Sequence, residues 1–188
     1  MLYGWGRDTR RLAQLNTNTG VATFLGRSPG AVVSGMASLN DTLYGVTTTR
    51  YLANIDPASG NLIQVGSASR FGLRVAEPEA LTAFEDKLYM IDRANDALME
   101  LSPRTGVATQ VGSAVQFGAR EGEIYGLTVY NRQLIMVSNF GNIRLVDPAL
   151  GTAAELLADV GTRPTDFETH NGLLYLVNFD RSALFTVS

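Results

Sequence analysis

The sequence contains no cysteine, and its 188 residues include one histidine and one tryptophan. The absence of thiols excludes a disulfide framework, a thiolate metal site and a cysteine nucleophile. The single histidine, His170, falls at a repeat position that is otherwise Leu, Phe or Tyr, where a partly buried structural role is the usual outcome. No serine lies in a recognisable nucleophile turn, so the sequence disfavours a Ser-His-Asp hydrolase.

Charge of either sign is also sparse. The 15 Lys and Arg residues against 18 Asp and Glu give a net charge of −3, with a sequence pI of about 5.1. This composition lacks the basic surface that nucleic-acid binding requires. No run of about 18 apolar residues occurs, and the start has no basic region followed by an apolar stretch. The sequence therefore predicts no nucleic-acid partner, no membrane span and no signal peptide, and it leaves the compartment open.

What the sequence does contain is a repeat of roughly 40 to 46 residues. The dipeptide Leu-Tyr or a close relative recurs at Leu2-Tyr3, Leu43-Tyr44, Leu88-Tyr89, Leu134-Ile135 and Leu174-Tyr175. A second apolar run follows each dipeptide, and a turn that ends in glycine follows the run at Gly20, Gly60, Gly106 and Gly151. We interpret the chain as one domain, residues 1–188, with repeat units at approximately 1–33, 34–77, 78–122, 123–163 and 164–188.

Each unit has the pattern of a four-stranded antiparallel meander. Its apolar residues alternate or form short β-branched and aromatic runs, which is strand periodicity rather than helix periodicity. The first and second strands are joined by two-residue turns that tolerate positive φ, at Asn40-Asp41, Glu85-Asp86, Asn131-Arg132 and Asn171-Gly172. The third and fourth strands are joined by the glycine turns, which are typical of bulged hairpins.

The D-P-x-[ST]-G turn at Asp56–Gly60, the Leu-Tyr strand and the trailing Val-Gly-Ser together resemble the propeller repeats of the NHL, YVTN and quinoprotein-like superfamily. The resemblance implies an all-β fold, a β-propeller of four-stranded antiparallel blades. A count of eighteen strands favours five blades with three-stranded terminal blades, and the alternative is four blades with a spare hairpin. Both arrangements leave sheet edges near the termini open to self-association.

Candidate ligand-binding residues cluster where the first strands begin. Aligned first strands have Gly35, Ala80 and Gly126 where the last unit has Asp166, and small residues suit the crowding at a propeller axis. Two connections share the pattern F-G-x-R, at Phe71–Arg74 and Phe117–Arg120, in which the phenylalanine is predicted to plug between blades. We also predict that six charged side chains converge over the axis as a charged mouth, formed by Arg74, Glu79, Arg120, Glu123, Arg163 and Asp166.

The leading interpretation of function is a non-catalytic scaffold that presents a loop-rich face to a protein, a glycan or a small polar ligand. One alternative is a metal-dependent hydrolase similar to the calcium-dependent lactonases, with Glu79, Asp166 and Asn139 or Asn178 near the axis as oxygen ligands for Ca²⁺. Glu79 and Asp166 could also serve as a glycosidase carboxylate pair. A third alternative is a fragment of a larger propeller. Apart from Ca²⁺ in the lactonase-like alternative, no cofactor is expected.

Overall fold

The computed structural model describes residues 2–26, 30–66, 71, 77–112, 125–157, 164–170, 172–178 and 183–187. The first repeat forms strands β1 (Leu2–Gly6), β2 (Arg11–Leu15) and β3 (Ala22–Phe24). The second forms β4 (Val33–Leu39), β5 (Thr42–Thr47), β6 (Leu52–Ile55) and β7 (Leu62–Gln64). The third forms β8 (Pro78–Phe84), β9 (Lys87–Asp92), β10 (Ala97–Leu101) and β11 (Ala108–Val111). The fourth forms β12 (Tyr125–Tyr130), β13 (Gln133–Ser138), β14 (Ile143–Asp147) and β15 (Thr152–Leu157). The fifth forms β16 (Pro164–His170), β17 (Leu173–Asn178) and β18 (Ala183–Val187).

Each repeat folds into one antiparallel sheet whose strands are neighbours in chain order. The three central sheets have four strands, and the first and last sheets have three. The predicted all-β propeller with three-stranded terminal sheets is therefore confirmed. Within the described part of the chain, no helix is long and apolar enough to cross a membrane.

The turns have the backbone geometry that their residues predict. Both residues of the turns at 40–41, 85–86 and 131–132 have positive φ, between 47° and 61°, as two-residue hairpins require. The glycine turns end in the left-handed region, with φ of 69° at Gly60 and 66° at Gly151. Asp56 accepts hydrogen bonds from the Ser59 hydroxyl and the Ala58 amide, and these bonds lower the pKa of its carboxyl. Because the folded pKa is lowered, this contribution to stability is present above the ordinary value of 3.8 and is lost as the pH falls below it.

The core consists of four apolar clusters, one between each pair of consecutive sheets. Middle sheets are covered on both faces, so β9 and β13 each have five consecutive buried residues. Phe71 is only 1% exposed and belongs to the cluster between the second and third sheets. The predicted plugging role is confirmed for Phe71, while Phe117 lies outside the described residues.

The first strands β4, β8, β12 and β16 contact one another in that order around a central axis. Their packing is tight enough to require glycine. A Cβ placed on Gly35 would lie 2.4 Å from the carbonyl carbon of Ala80 and 2.5 Å from the amide nitrogen of Leu81. The prediction that small residues crowd the axis is therefore confirmed at Gly35.

Candidate functional site

A cavity of about 300 Å³ lies on the axis, at the end where the first strands terminate. We call it the axial cavity. Its walls are residues near the ends of β4, β8, β12 and β16, together with Leu43 of β5 and with Leu2 and Tyr3 at the start of β1. The first strands enter their hairpin turns at this end. Glu79, near the start of β8, belongs to the other end of the strands. Among the predicted members of the charged mouth, Glu79 therefore lies at the opposite end of the strands from the axial cavity.

One layer of the cavity wall carries a carboxylate and two buried hydroxyls. Ala37, Thr82, Thr128 and Glu168 occupy the same register position in the four first strands, opposite Tyr44, Tyr89, Ile135 and Tyr175 of the second strands. Thr82 is 5% exposed and Thr128 is 1% exposed, whereas Glu168 is half-buried. The layer can therefore offer a ligand two hydroxyls and one carboxylate at a single height along the axis.

Thr128 also joins two first strands across their interface. The Thr169 amide donates a hydrogen bond to Thr128 Oγ1 at 3.2 Å, and the two threonine hydroxyls lie 3.4 Å apart. This bridge fixes β16 against β12 directly beside Glu168. These hydrogen bonds to the neighbouring strand hold the Thr128 hydroxyl in a fixed position beside the site.

His170 is the last residue of β16. It is half-buried and lines the axial cavity. Its ring centroid lies 6.4 Å from that of Tyr175, with the planes tilted by 52°. The register confirms that Leu39, Phe84 and Tyr130 occupy the same position in the other first strands. The imidazole is thus partly buried, as expected, and it also adds a nitrogen donor or acceptor to the rim of the axial cavity.

Of the charged mouth, only Glu79 has a described side chain. Glu79 Oε1 lies 3.3 Å from Arg93 Nε, and the two groups form an ion pair without a hydrogen bond. Arg93 Nη2 donates a hydrogen bond to Glu77 Oε2 at 2.5 Å. Arg93 lies in the turn between β9 and β10, so these pairs hold the start of β8 to a turn of its own sheet. Four members of the charged mouth lie outside the described residues, namely Arg74, Arg120, Glu123 and Arg163. Asp166 lies in β16 opposite Val177, and only its backbone is described. The predicted convergence remains a prediction.

Buried polar residues at the ends of the second strands organise the neighbouring turns. Thr47 Oγ1 accepts a hydrogen bond from the Tyr51 amide at 3.2 Å, and Asp92 Oδ1 accepts one from the Glu77 amide at 3.1 Å. Ser138 has the equivalent position in the fourth sheet and is also buried. These side chains satisfy backbone amides in turns, and we assign them a structural role.

Of the predicted calcium ligands, Glu79 and Asn139 have described side chains. Asn139 Oδ1 is buried and has no hydrogen-bond partner among the described residues. The described residues contain no group of three or more His, Cys, Asp and Glu side chains that could hold a metal ion. The Asn178 and Asp166 side chains are not described, so the lactonase-like alternative stays an untested prediction.

Glu168, Thr82 and Thr128 were not among the site residues predicted from the sequence. Asp166 was predicted because it interrupts a column of small residues. Glu168 lies two residues further along the same strand, and residues at this spacing share one face. The sequence pattern that could have identified these residues is the aligned column of Ala37, Thr82, Thr128 and Glu168. The side chains in this column become more polar from one repeat to the next.

Five antiparallel sheets arranged around an axis, with first strands lining it, define a β-propeller. No protein-family model matches the chain, and no curated protein matches its sequence. Solved structures do match its fold, and they are β-propellers as the sequence analysis predicts for this chain.

Three solved structures illustrate this likeness. Glutaminyl cyclase from Myxococcus xanthus is 17% identical, with a TM-score of 0.66 over 94% of this chain and 81% of that one. A gluconolactonase from Xanthomonas campestris is 16% identical, with a TM-score of 0.61 over 92% of this chain and 64% of that one. A protein of unknown function from Bacteroides thetaiotaomicron is 15% identical, with a TM-score of 0.59 over 97% of this chain and 57% of that one. The chain thus spans less than two thirds of the last two, and likeness at this identity shows the fold alone.

Proposed function

We propose that the chain is a non-catalytic β-propeller scaffold that binds a small polar ligand in its axial cavity. The observation that carries the proposal is the layer of Thr82, Thr128 and Glu168, which places buried hydroxyls and a carboxylate around a cavity of about 300 Å³. Cavities from about this size upward, with a few polar groups at fixed positions, are typical of small-molecule sites.

The chemistry of the wall indicates the class of ligand. Glu168 would pair with a cationic amine, and the threonine hydroxyls would exchange hydrogen bonds with hydroxyl groups. His170 at the rim can serve either kind of group. An amino alcohol or an amino sugar combines both features, so we expect ligands of this class to bind more tightly than neutral apolar molecules of equal size.

The substitution Glu168→Gln is expected to remove ligand binding without unfolding the protein. The Glu168→Gln side chain keeps its size and loses the charge that would pair with an amine. The measurement is the melting temperature in the presence of glucosamine, ethanolamine and glycerol. At a concentration of about 100 times the dissociation constant, a ligand of the folded state adds roughly 2.7 kcal/mol. For a domain of this length that corresponds to an upward shift of about 5 to 10 °C.

The matched control is Glu85→Gln, which makes the same chemical change in an exposed turn outside the cavity. We expect Glu85→Gln to respond to the amine ligands as the unmodified chain does. The double variant Thr82→Val and Thr128→Val, which keeps the shape of the side chains, should also lose the response. An equal shift in Glu168→Gln would place the ligand elsewhere, and a Ca²⁺-dependent shift lost in Asn139→Ala would favour the metal-dependent hydrolase.

The charged mouth is a separate proposal for the other end of the axis, where a protein or a glycan would be bound. If Arg74, Arg120 and Arg163 face such a partner, changing all three to glutamine abolishes binding to acidic glycans on an array, because guanidinium groups pair with acidic groups. The melting temperature should remain within about 2 °C of the unmodified value, since surface changes cost little.

The control for this triple variant is the pair Arg104→Gln and Arg132→Gln, which changes exposed arginines in turns. That pair should keep both stability and glycan binding. A large fall in melting temperature for the triple variant would show that its arginines hold the connections between sheets together instead.

A further inference from the structure

The turns of the first two sheets, at the end opposite the axial cavity, carry arginines without a carboxylate partner. Four of them form what we call the arginine patch, namely Arg7, Arg10 and Arg11 in or beside the turn between β1 and β2, and Arg50 in the turn between β5 and β6. None of the four forms an ion pair with a described carboxylate. In the third sheet, by contrast, the turn residue Arg93 pairs with Glu77 and Glu79. The first two sheets therefore present positive charge that described carboxylates do not neutralise.

One connecting segment holds the two turns side by side. Arg10 Nη1 donates a hydrogen bond to the Gly30 carbonyl oxygen at 3.0 Å, and the Thr48 amide donates one to the Val32 carbonyl oxygen at 2.9 Å. Because Gly30 and Val32 are two residues apart, their Cα atoms are separated by no more than about 7 Å. The turns of the first and second sheets therefore share one continuous surface.

The charge of this surface is opposite in sign to that of the whole chain. Residues 7–50 contain five arginines and two carboxylates, although the net charge of the chain is −3. Asp41 lies in the turn between β4 and β5, at the end of the axial cavity, so Asp8 is the one carboxylate in the two turns of the patch. Arg7 and Arg10 are exposed, and Arg50 is half-buried. A surface of this kind attracts anionic groups.

Phe24 adds an apolar component beside these charges. Its side chain is 41% exposed, and the Arg11 guanidinium lies 5.5 Å from the centroid of its ring. A Cβ placed on Gly6 would lie 2.8 Å from a carbon of the same ring, so Gly6 packs closely against it. Since Arg11 and Gly6 both cover parts of the ring, little flat surface is left for stacking a sugar. An aliphatic side chain suits the exposed remainder better, and arginine beside an aromatic residue is typical of protein-binding sites.

We propose that the arginine patch binds an acidic peptide segment of a partner protein, with carboxylates of the segment paired to the guanidinium groups of Arg7, Arg10 and Arg50. Guanidinium groups bind carboxylates through two parallel hydrogen bonds, which fixes the orientation of the bound side chain. An aliphatic side chain of the same segment packs on Phe24. This interaction goes beyond the small-ligand site, because it uses the opposite end of the sheets, and it involves none of the arginines of the charged mouth.

The test is the fluorescence anisotropy of a labelled synthetic peptide, EELEEL, titrated with the full chain. We expect a dissociation constant of about 10 to 100 μM at about 50 mM salt. Binding should be at least about tenfold weaker at about 300 mM salt, since salt screens exposed charges. The control peptide QQLQQL keeps the leucines and loses the charges, and it should bind at least about tenfold more weakly than EELEEL.

Substitutions in the patch should change the affinity in both directions. The triple variant Arg7→Gln, Arg10→Gln and Arg50→Gln should bind EELEEL at least about tenfold more weakly. Asp8→Asn should bind it about two- to threefold more tightly, because a repelling carboxylate is removed. Arg10 also holds the Gly30 carbonyl, so Arg7→Gln serves as the variant that leaves every described hydrogen bond in place, and it should weaken binding about threefold.

The matched control is the pair Arg104→Gln and Arg132→Gln, which removes the same number of exposed turn charges from other sheets as two substitutions in the patch would. This pair should bind EELEEL nearly as tightly as the unmodified chain.

The proposal is overturned if EELEEL does not bind at low salt, or if the folded Arg7→Gln and triple variants bind it as tightly as the unmodified chain. Tighter binding of a heparin hexasaccharide than of EELEEL, lost in the triple variant, would make the partner an acidic glycan and also overturn it. The amine-ligand experiment reports on the axial cavity, so its failure is distinguishable from each of these results.

Discussion

Replacement of Gly151 by alanine is expected to destabilise the protein by about 3 to 5 kcal/mol, whereas the same change at Gly20 should cost only about 1 to 2 kcal/mol. The two glycines occupy equivalent turns and have φ of 66° and 72°, so the penalty for a left-handed alanine is the same at both. They differ in their surroundings. A Cβ on Gly151 would lie 2.0 Å from the Val111 carbonyl oxygen, and one on Gly20 would meet nothing within 4 Å.

The difference between the two variants therefore isolates the contact between neighbouring sheets. Thermal unfolding should show a melting temperature about 3 to 6 °C lower for Gly20→Ala and at least 8 °C lower for Gly151→Ala. A third variant, Gly172→Ala, has φ of 77° and equally open space, and it should behave like Gly20→Ala. Equal losses at Gly20 and Gly151 would mean that the Gly20 turn is also covered, by a second copy of the chain for example.

Much of this fold could be predicted because the determinants of a propeller repeat are local. A two-residue hairpin needs positive φ at both turn positions, and residues such as Asn40 and Asp41 satisfy that requirement within the sequence itself. The glycine turns likewise depend on five adjacent residues. Because the same turn and strand pattern recurs in every repeat, the order of the strands and the number of sheets follow from the spacing of that pattern.

The candidate site was less predictable because its members come from separate strands that only the closed ring brings together. Thr82 and Thr128 are ordinary strand residues in sequence, and they become site residues through burial at the axis. Glu79 forms an ion pair with Arg93, whereas the prediction grouped it with Arg74, Arg120 and Arg163, which lie outside the described residues. The sequence contains no information on which arginine of several nearby loops is within reach of a given carboxylate.

A small-ligand site needs walls that do not move, and the threonine bridge from Thr128 to Thr169 supplies one such link between the fourth and fifth sheets.

Replacement of Phe71 by alanine should lower the free energy of unfolding by about 3 to 5 kcal/mol. We expect this to be the largest loss of stability from one substitution in the connections between sheets. Phe71 is 1% exposed and packs in the cluster between the second and third sheets, so its removal leaves a cavity in a packed core. Its φ of 52° is in the left-handed region. Alanine is subject to the same backbone penalty there, so the loss of stability reports on packing.

Thermal or urea unfolding measures this loss, and the melting temperature should fall by about 6 to 15 °C. Phe140→Ala is the matched control, because Phe140 is 53% exposed and its truncation should cost less than about 0.5 kcal/mol. Phe71→Leu should recover most of the stability, since leucine refills part of the space. A Phe71→Ala variant as stable as Phe140→Ala would contradict the plugging role. The F-G-x-R pattern would then have to be explained by Arg74 and Arg120, the two arginines that the charged mouth requires.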